Sequence, residues 1–190
     1  MSEITSSPRP SLTTLTQRLS ATAPQGDRDL VLTACQQLIE HARATGQIPS
    51  PTTVIDLLEL LRRYRRFEAL SVLAGALIRM GRDELIVWRL YAQGPIDQGL
   101  LIPGWEVLRG LVRCAAGDPI EYSEVRGLMG RVNKQIYVDA RGRSSDQARQ
   151  ALRQAIACYQ EVYDEDRQKH RLDRSGERPA KAHGGRMGLR

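Results

Sequence analysis

The chain has 190 residues, 41% of them hydrophobic but only 5% aromatic, and a formal net charge of +6. That suits one domain with tails, whose core must be built from Leu, Ile, Val and Ala. No run of about 18 apolar residues exists to span a membrane, and the N-terminus lacks the apolar stretch of a signal peptide, so a cytoplasmic protein is expected.

Residues 1–27 are rich in Ser, Thr and Pro and read as a disordered arm. A helical domain is expected over 28–164. Its first helix runs from about Asp29 to Ala44, with Leu30, Val31, Ala34, Leu38 and Ile39 on one face, and stops at Gly46. Ser50-Pro51 is a start signal, serine as N-cap and proline at N1. The helix it opens reaches about Tyr64, with Val54, Leu57, Leu58 and Leu61 inward. A tight bend at Arg65-Arg66 leads into a helix from Phe67 to Met80, with Leu70, Leu73, Ala74 and Leu77 inward and Gly81 closing it.

Asp83 opens a helix carrying Leu85, Trp88, Leu90 and Tyr91; Gly94-Pro95, a pair hostile to helix interiors, stands in its path. Another apolar stretch follows Pro103-Gly104, with Val107, Leu108, Leu111 and Val112. Gly117-Asp118-Pro119 stops one helix and starts the next. A last helix is expected from about Asp146 to Tyr163, lined by Leu152, Ala155, Ile156, Tyr159 and Val162. Residues 165–190, basic and poor in large aliphatics, read as a disordered tail. No segment alternates with period two, so the chain is expected to be all-α.

The most informative stretch is 124–140, EVRGLMGRVNKQIYVDA. Val125, Leu128, Met129, Val132 and Ile136 make one apolar stripe. The opposite face gathers Arg126, Gly127, Gly130, Arg131, Lys134 and Tyr137. Each glycine costs a helix roughly 1 kcal/mol relative to alanine, so each calls for a packing or ligand reason. Either a neighbouring helix fills the glycine groove, or the three cations hold a phosphate or carboxylate.

Helices of this length joined by short turns suggest stacked hairpins. Ala69 and Ala76 lie seven apart, as do Ala155 and Val162. Leu73 and Ala76-Leu77 recur about 34 residues later, as Val107 and Gly110-Leu111. The expected architecture is a right-handed stack of antiparallel helical hairpins with disordered termini.

Segment 55–163 resembles degenerate tetratricopeptide-repeat domains of bacterial signalling and conflict proteins. It is also similar to the TRAF-binding region of animal mitogen-activated protein kinase kinase kinases. FEAL at 67–70, RLYAQ at 89–93, IDQG at 96–99, GLMGRVNKQIYVDA at 127–140 and AIACYQEVY at 155–163 carry the resemblance. It implies an adaptor or sensor that works beside an effector such as a protease, with Arg126, Arg131 and Lys134 as contact residues. The family pattern continues beyond Asp166 with another hairpin where this chain turns basic. A truncated or frame-shifted relative of a longer protein is therefore expected.

No GxSxG, HExxH, Walker A or dinucleotide fingerprint occurs, so no enzymatic activity and no cofactor are expected. Cys35, Cys114 and Cys158 are odd in number, widely spaced and without a CxxC pair, so they are expected as small core residues. The charge is spread: residues 164–190 hold eight cations and five carboxylates, and 25 of all 28 cations are Arg. No basic patch with interleaved aromatics stands out, which argues against nucleic acid. The leading expectation is a protein partner bound by Trp88, Arg89, Arg126, Arg131, Lys134 and Tyr137. A small anionic or nucleotide-derived ligand on the 126–137 face comes second, and a basic nucleic-acid regulator third.

Overall fold

Side-chain caps and left-handed residues cut this chain into helices. The computed structural model describes residues 10–140 and 145–175. Among them there are eight α-helices, two single 3-10 turns and no strand: α1 Leu12–Thr22, α2 Arg28–Thr45, α3 Pro51–Arg63, α4 Phe67–Arg79, α5 Leu85–Asp97, α6 Leu101–Cys114, α7 Pro119–Asp139 and α8 Asp146–Ser175. The all-α expectation holds.

The helix starts have clear local causes. Ser11, Asp27 and Ser50 accept from the amides of Thr14, Leu30 and Thr53 at 3.2, 3.0 and 3.2 Å. Asp118 accepts from both Ile120 and Glu121, with Pro119 at the first helical position. The stops are equally local. Gly46, Gly81 and Gly99 take positive φ, and Arg65 does so at 58° to make the bend before α4.

The helices group into two units, one up to Arg82 and one from Asp83 onward. In the first, α1 packs on α2 and α3, and α4 packs on α2 and α3. Its core is aliphatic: Leu15, Leu19, Val31, Leu38, Val54, Leu58, Leu61, Leu70 and Leu73 are all buried. Cys35 lies there too, and burial pushes its thiol up to about 12. In the second, α5 and α6 form one hairpin and α7 and α8 another, with α7 against both α5 and α6. Ala92, Ile96, Leu108, Leu111, Val125, Leu128, Met129, Val132 and Cys158 make its core.

The helix starts keep a register. The step from Leu12 of α1 to Arg28 of α2 equals that from Pro51 of α3 to Phe67 of α4, and that from Leu85 of α5 to Leu101 of α6. The starts of α3, α5 and α7, at Pro51, Leu85 and Pro119, are likewise evenly spaced. The interval from α1 to α3 is longer, and the excess matches the length of α2, 18 residues against 13 for α4.

Two expectations need correction, and one question the sequence left open is answered. The Ser/Thr-rich arm is helical over Leu12–Thr22, because Leu15 and Leu19 are buried and Ser11 caps the start. Gly94-Pro95 does not end its helix. Pro95 lacks the N–H that would bond the Tyr91 carbonyl, yet α5 continues through it to Asp97, with Ala92 and Ile96 buried on either side. The Gln98 side chain donates to the Gly94 carbonyl at 3.0 Å. Finally, α8 runs on to Ser175, so the first residues of the basic tail are helical. The disorder expected of residues 1–9 and 176–190 lies outside the described residues.

Candidate binding face on the seventh helix

All six side chains expected to make contacts belong to the second unit, on α5 and α7. The structure sorts them into three groups.

Trp88 and Arg89 face inward. Trp88 packs on the core of the second unit and meets Tyr91 edge-on, with ring centroids 6.2 Å apart. Its indole Nε1 is buried and has no hydrogen-bond partner among the described residues. Arg89 is buried, and its Nε donates to Glu121 Oε2 at 2.8 Å; Glu124 lies 3.8 Å from its Nη1. Glu121 is buried as well. The Arg89 charge thus lies against carboxylates across the α5–α7 contact, away from the surface. A lone charge pair of this kind has no signature in sequence, because the two residues stand 32 positions apart.

Arg126, largely covered and with a buried Nε that has no hydrogen-bond partner among the described residues, and Arg131, half exposed, are both held by carboxylates of neighbouring helices. Arg126 pairs with Glu161 on α8 at 2.5 Å, and the Tyr122 hydroxyl donates to the same carboxylate at 3.3 Å. Arg131 pairs with Asp97 on α5, which also accepts from the Gln93 amide at 3.2 Å. Asp97 is nearly covered, while the Arg131 side chain stays half exposed.

Lys134 is exposed and Tyr137 half-buried on the same helix, and Lys134 makes no ion pair with any described residue. The two glycines differ. A Cβ at Gly130 would stand 3.0 Å from Tyr159 Cε1 and 3.2 Å from Cys158 Cβ, so this glycine exists to admit α8. A Cβ at Gly127 would meet nothing within 4 Å. The packing explanation fits one glycine and leaves the other open.

The α7–α8 contact also sets local proton affinities. Burial pushes the Tyr159 hydroxyl up, against the pull of the Arg131 charge. Burial likewise pushes the Cys158 thiol up, opposed by Arg126. Both groups stay protonated near neutral pH and serve as packing atoms. No group of three or more His, Cys, Asp or Glu side chains with metal-holding geometry occurs among the described residues, and none of their helices is long and apolar enough to cross a membrane.

Two hollows that the sequence did not announce lie in the first unit. One, about 600 Å³, runs beside Thr16, Ser20, Thr53, Asp56 and Leu57 of α1 and α3. The other, about 420 Å³, is bounded by Pro10, Leu15, Gln37, Glu40, His41 and Thr45. The second brings together Gln37, Glu40, His41 and Thr45, and the buried Nε2 of His41 has no hydrogen-bond partner among the described residues.

The open part of α7 is therefore a shallow notch at Gly127 with Lys134 on one side and the half-exposed Arg131 on the other. Beside it the cations Arg126 and Arg131 alternate with the carboxylates of Glu161 and Asp97. No protein-family model matches this chain, and neither does any curated protein or solved structure.

Proposed function

We propose that the chain is a non-enzymatic helical-repeat module of tetratricopeptide type, an adaptor or sensor that binds a protein partner, such as a protease or another effector, in a signalling or defence system. The observation that carries this reading is the register of the helices. The even steps from Pro51 to Leu85 to Pro119 have the period of tetratricopeptide repeats, about 34 residues. That repeat places W-x2-L-G-x2-Y in its first helix and A-x3-F in its second. Trp88, Tyr91 and Ala92 take the first three of these places in α5, and Gly104 and Leu108 take the last two in α6. Pro95 departs at the tyrosine place. Close packing at the small places supports this reading: a Cβ on Gly104 would lie 2.9 Å from the Ala92 carbonyl oxygen, so the two backbones touch there.

The polar face of α7 favours a protein over a small anion. Two of its three cations already have carboxylate partners, and a phosphate would have to displace Glu161 and Asp97. A partner segment with its own mixed charges can dock over such pairs without breaking them. The notch at Gly127 and Lys134 is the open part of this face.

The test uses the full chain, tagged, to capture its partner from the cells that make it. Lys134→Glu and Gly127→Arg are expected to abolish recovery of the wild-type partner without lowering the melting temperature. Undiminished recovery with both variants would refute this face. A small-anion reading retains one observation, the Lys134 ammonium without an ion pair among the described residues. It predicts that inorganic phosphate or a nucleotide raises the melting temperature of the wild type and not of Lys134→Glu.

A further inference from the structure

The last described helix carries two stripes. Ala148, Ala151, Ala155 and Cys158 are buried and face α7. The second stripe lies about a quarter-turn away and consists of Arg149, Leu152, Ile156, Tyr159, Tyr163 and Asp166. Ile156, Tyr159 and Tyr163 are 47%, 42% and 62% exposed. Arg149 is exposed and pairs with Asp146 of its own first turn; Asp166 is exposed as well. The Arg167 guanidinium lies 5.8 Å from the Tyr163 ring centre.

The spacing of the second stripe is 3, 4, 3, 4, 3, which is the seam of a two-helix coiled coil. Among the described residues α8 packs chiefly on α7, a contact that needs one stripe, and this helix has two. The composition of the exposed stripe also has a symmetry. It begins with a cation, ends with an anion and holds four apolar side chains between. Its midpoint falls between Ala157 and Cys158. If a second copy of the helix is laid antiparallel about that midpoint, Arg149 meets the partner's Asp166, Leu152 meets the partner's Tyr163, and Ile156 meets the partner's Tyr159. The same contacts repeat on the other side of the two-fold axis, as an isologous interface requires. A parallel, in-register pair would instead set Arg149 beside the partner's Arg149, and Asp166 beside the partner's Asp166.

We propose that two copies of this chain associate through α8, antiparallel, along the Arg149–Asp166 stripe. The charge complementarity selects a second copy over an unrelated partner, because the ends of one stripe match the ends of its own inverted image. The seam is short, at the small end of specific protein interfaces, so the dimer is in rapid, concentration-dependent exchange with the monomer. Antiparallel packing also sets the two helix dipoles head to tail, which favours this orientation. The proposal rests on α8 alone and stands or falls independently of the partner face on α7.

The test is sedimentation of the full chain over a concentration series reaching about 1 mM, where even the weakest specific complexes become visible. The wild type is expected to move from monomer to dimer. Ile156→Lys should leave the helical circular dichroism unchanged and weaken association at least tenfold. Arg149→Asp alone should weaken it, and Arg149→Asp with Asp166→Arg should restore it, since the reversed charges again meet across the axis. Chains with Arg149→Cys mixed with chains carrying Asp166→Cys should form a disulfide-linked pair that neither forms by itself. A wild type that stays monomeric throughout, a dimer indifferent to Ile156→Lys, or a double charge reversal no better than the single one would each overturn the proposal.

Discussion

The hairpins α3–α4 and α5–α6 share one register and solve it with opposite side chains. Leu58 and Leu70 of the first correspond, one repeat on, to Ala92 and Gly104 of the second. Ala74 corresponds to Leu108. All six are buried. Where one hairpin fills the space between its helices with leucine, the other brings the backbones into contact and puts its leucine a turn further along. Ile55 corresponds to Arg89, so a partly buried aliphatic position in one hairpin becomes half of a buried ion pair in the other. The same spacing of helices thus tolerates different interiors, provided that bulk is balanced within the hairpin and a buried charge finds its partner on the helix packed against it, as Arg89 does on α7.

Substitutions that export one hairpin's solution to the other should break this balance. Glu121→Ala strips Arg89 of its closest carboxylate, leaving Glu124 at 3.8 Å from its Nη1, and is expected to cost about 3 kcal/mol in urea unfolding, the upper range for losing hydrogen bonds to a buried charged group. Replacing both partners, Arg89→Ile with Glu121→Val, should recover most of that loss, because an apolar pair needs no compensation. Leu70→Ala should cost about 3 kcal/mol through the cavity it leaves. Gly104→Ala should cost about 2 kcal/mol by overpacking, since its Cβ would run into Ile96 Cγ1 and lie 2.9 Å from a backbone oxygen.

The glycines of α7 give a smaller effect of opposite sign. Gly127→Ala meets nothing within 4 Å and should stabilise the helix by about 1 kcal/mol, measurable as a rise in melting temperature. Gly130→Ala must push Tyr159 aside and should gain less or lose. Equal gains at both sites would show that the tyrosine does not need the glycine. The smallest effect is on cysteine labelling at neutral pH. Cys35 and Cys158 should react far more slowly than the half-buried Cys114, because burial keeps both thiols protonated and covered.

Those parts of the fold that have local causes were legible. Ser50-Pro51 and Asp118-Pro119 read as helix starts because serine, aspartate and proline act on their own next turn. The stripe Val125, Leu128, Met129 and Val132 read correctly because burial follows helical period. Helix α1 was missed because only Leu15 and Leu19 anchor it among many hydroxyl residues, and local propensity gives way to two tertiary contacts. Pro95 was ambiguous because its cost depends on how much helix follows it, which a dipeptide does not tell. The candidate site was half legible. That Arg126, Arg131 and Lys134 share one face follows from spacing. That Glu161 and Asp97 neutralise the first two does not, since those carboxylates sit on other helices.

The length of α2 has a consequence for where this chain can be altered. It outruns α4 by five residues, about 7.5 Å of extra helix. Five residues turn a helix through one full revolution and about 140° more, unlike a seven-residue step, which nearly restores the original face. Excising one five-residue block from α2 would therefore bring its interval into step with the later hairpins while swinging everything beyond the cut to a new azimuth. His41 and Thr45 would change sides, and the hollow they border would be dismantled. A five-residue excision from α2 thus evens the repeat only at the expense of that hollow.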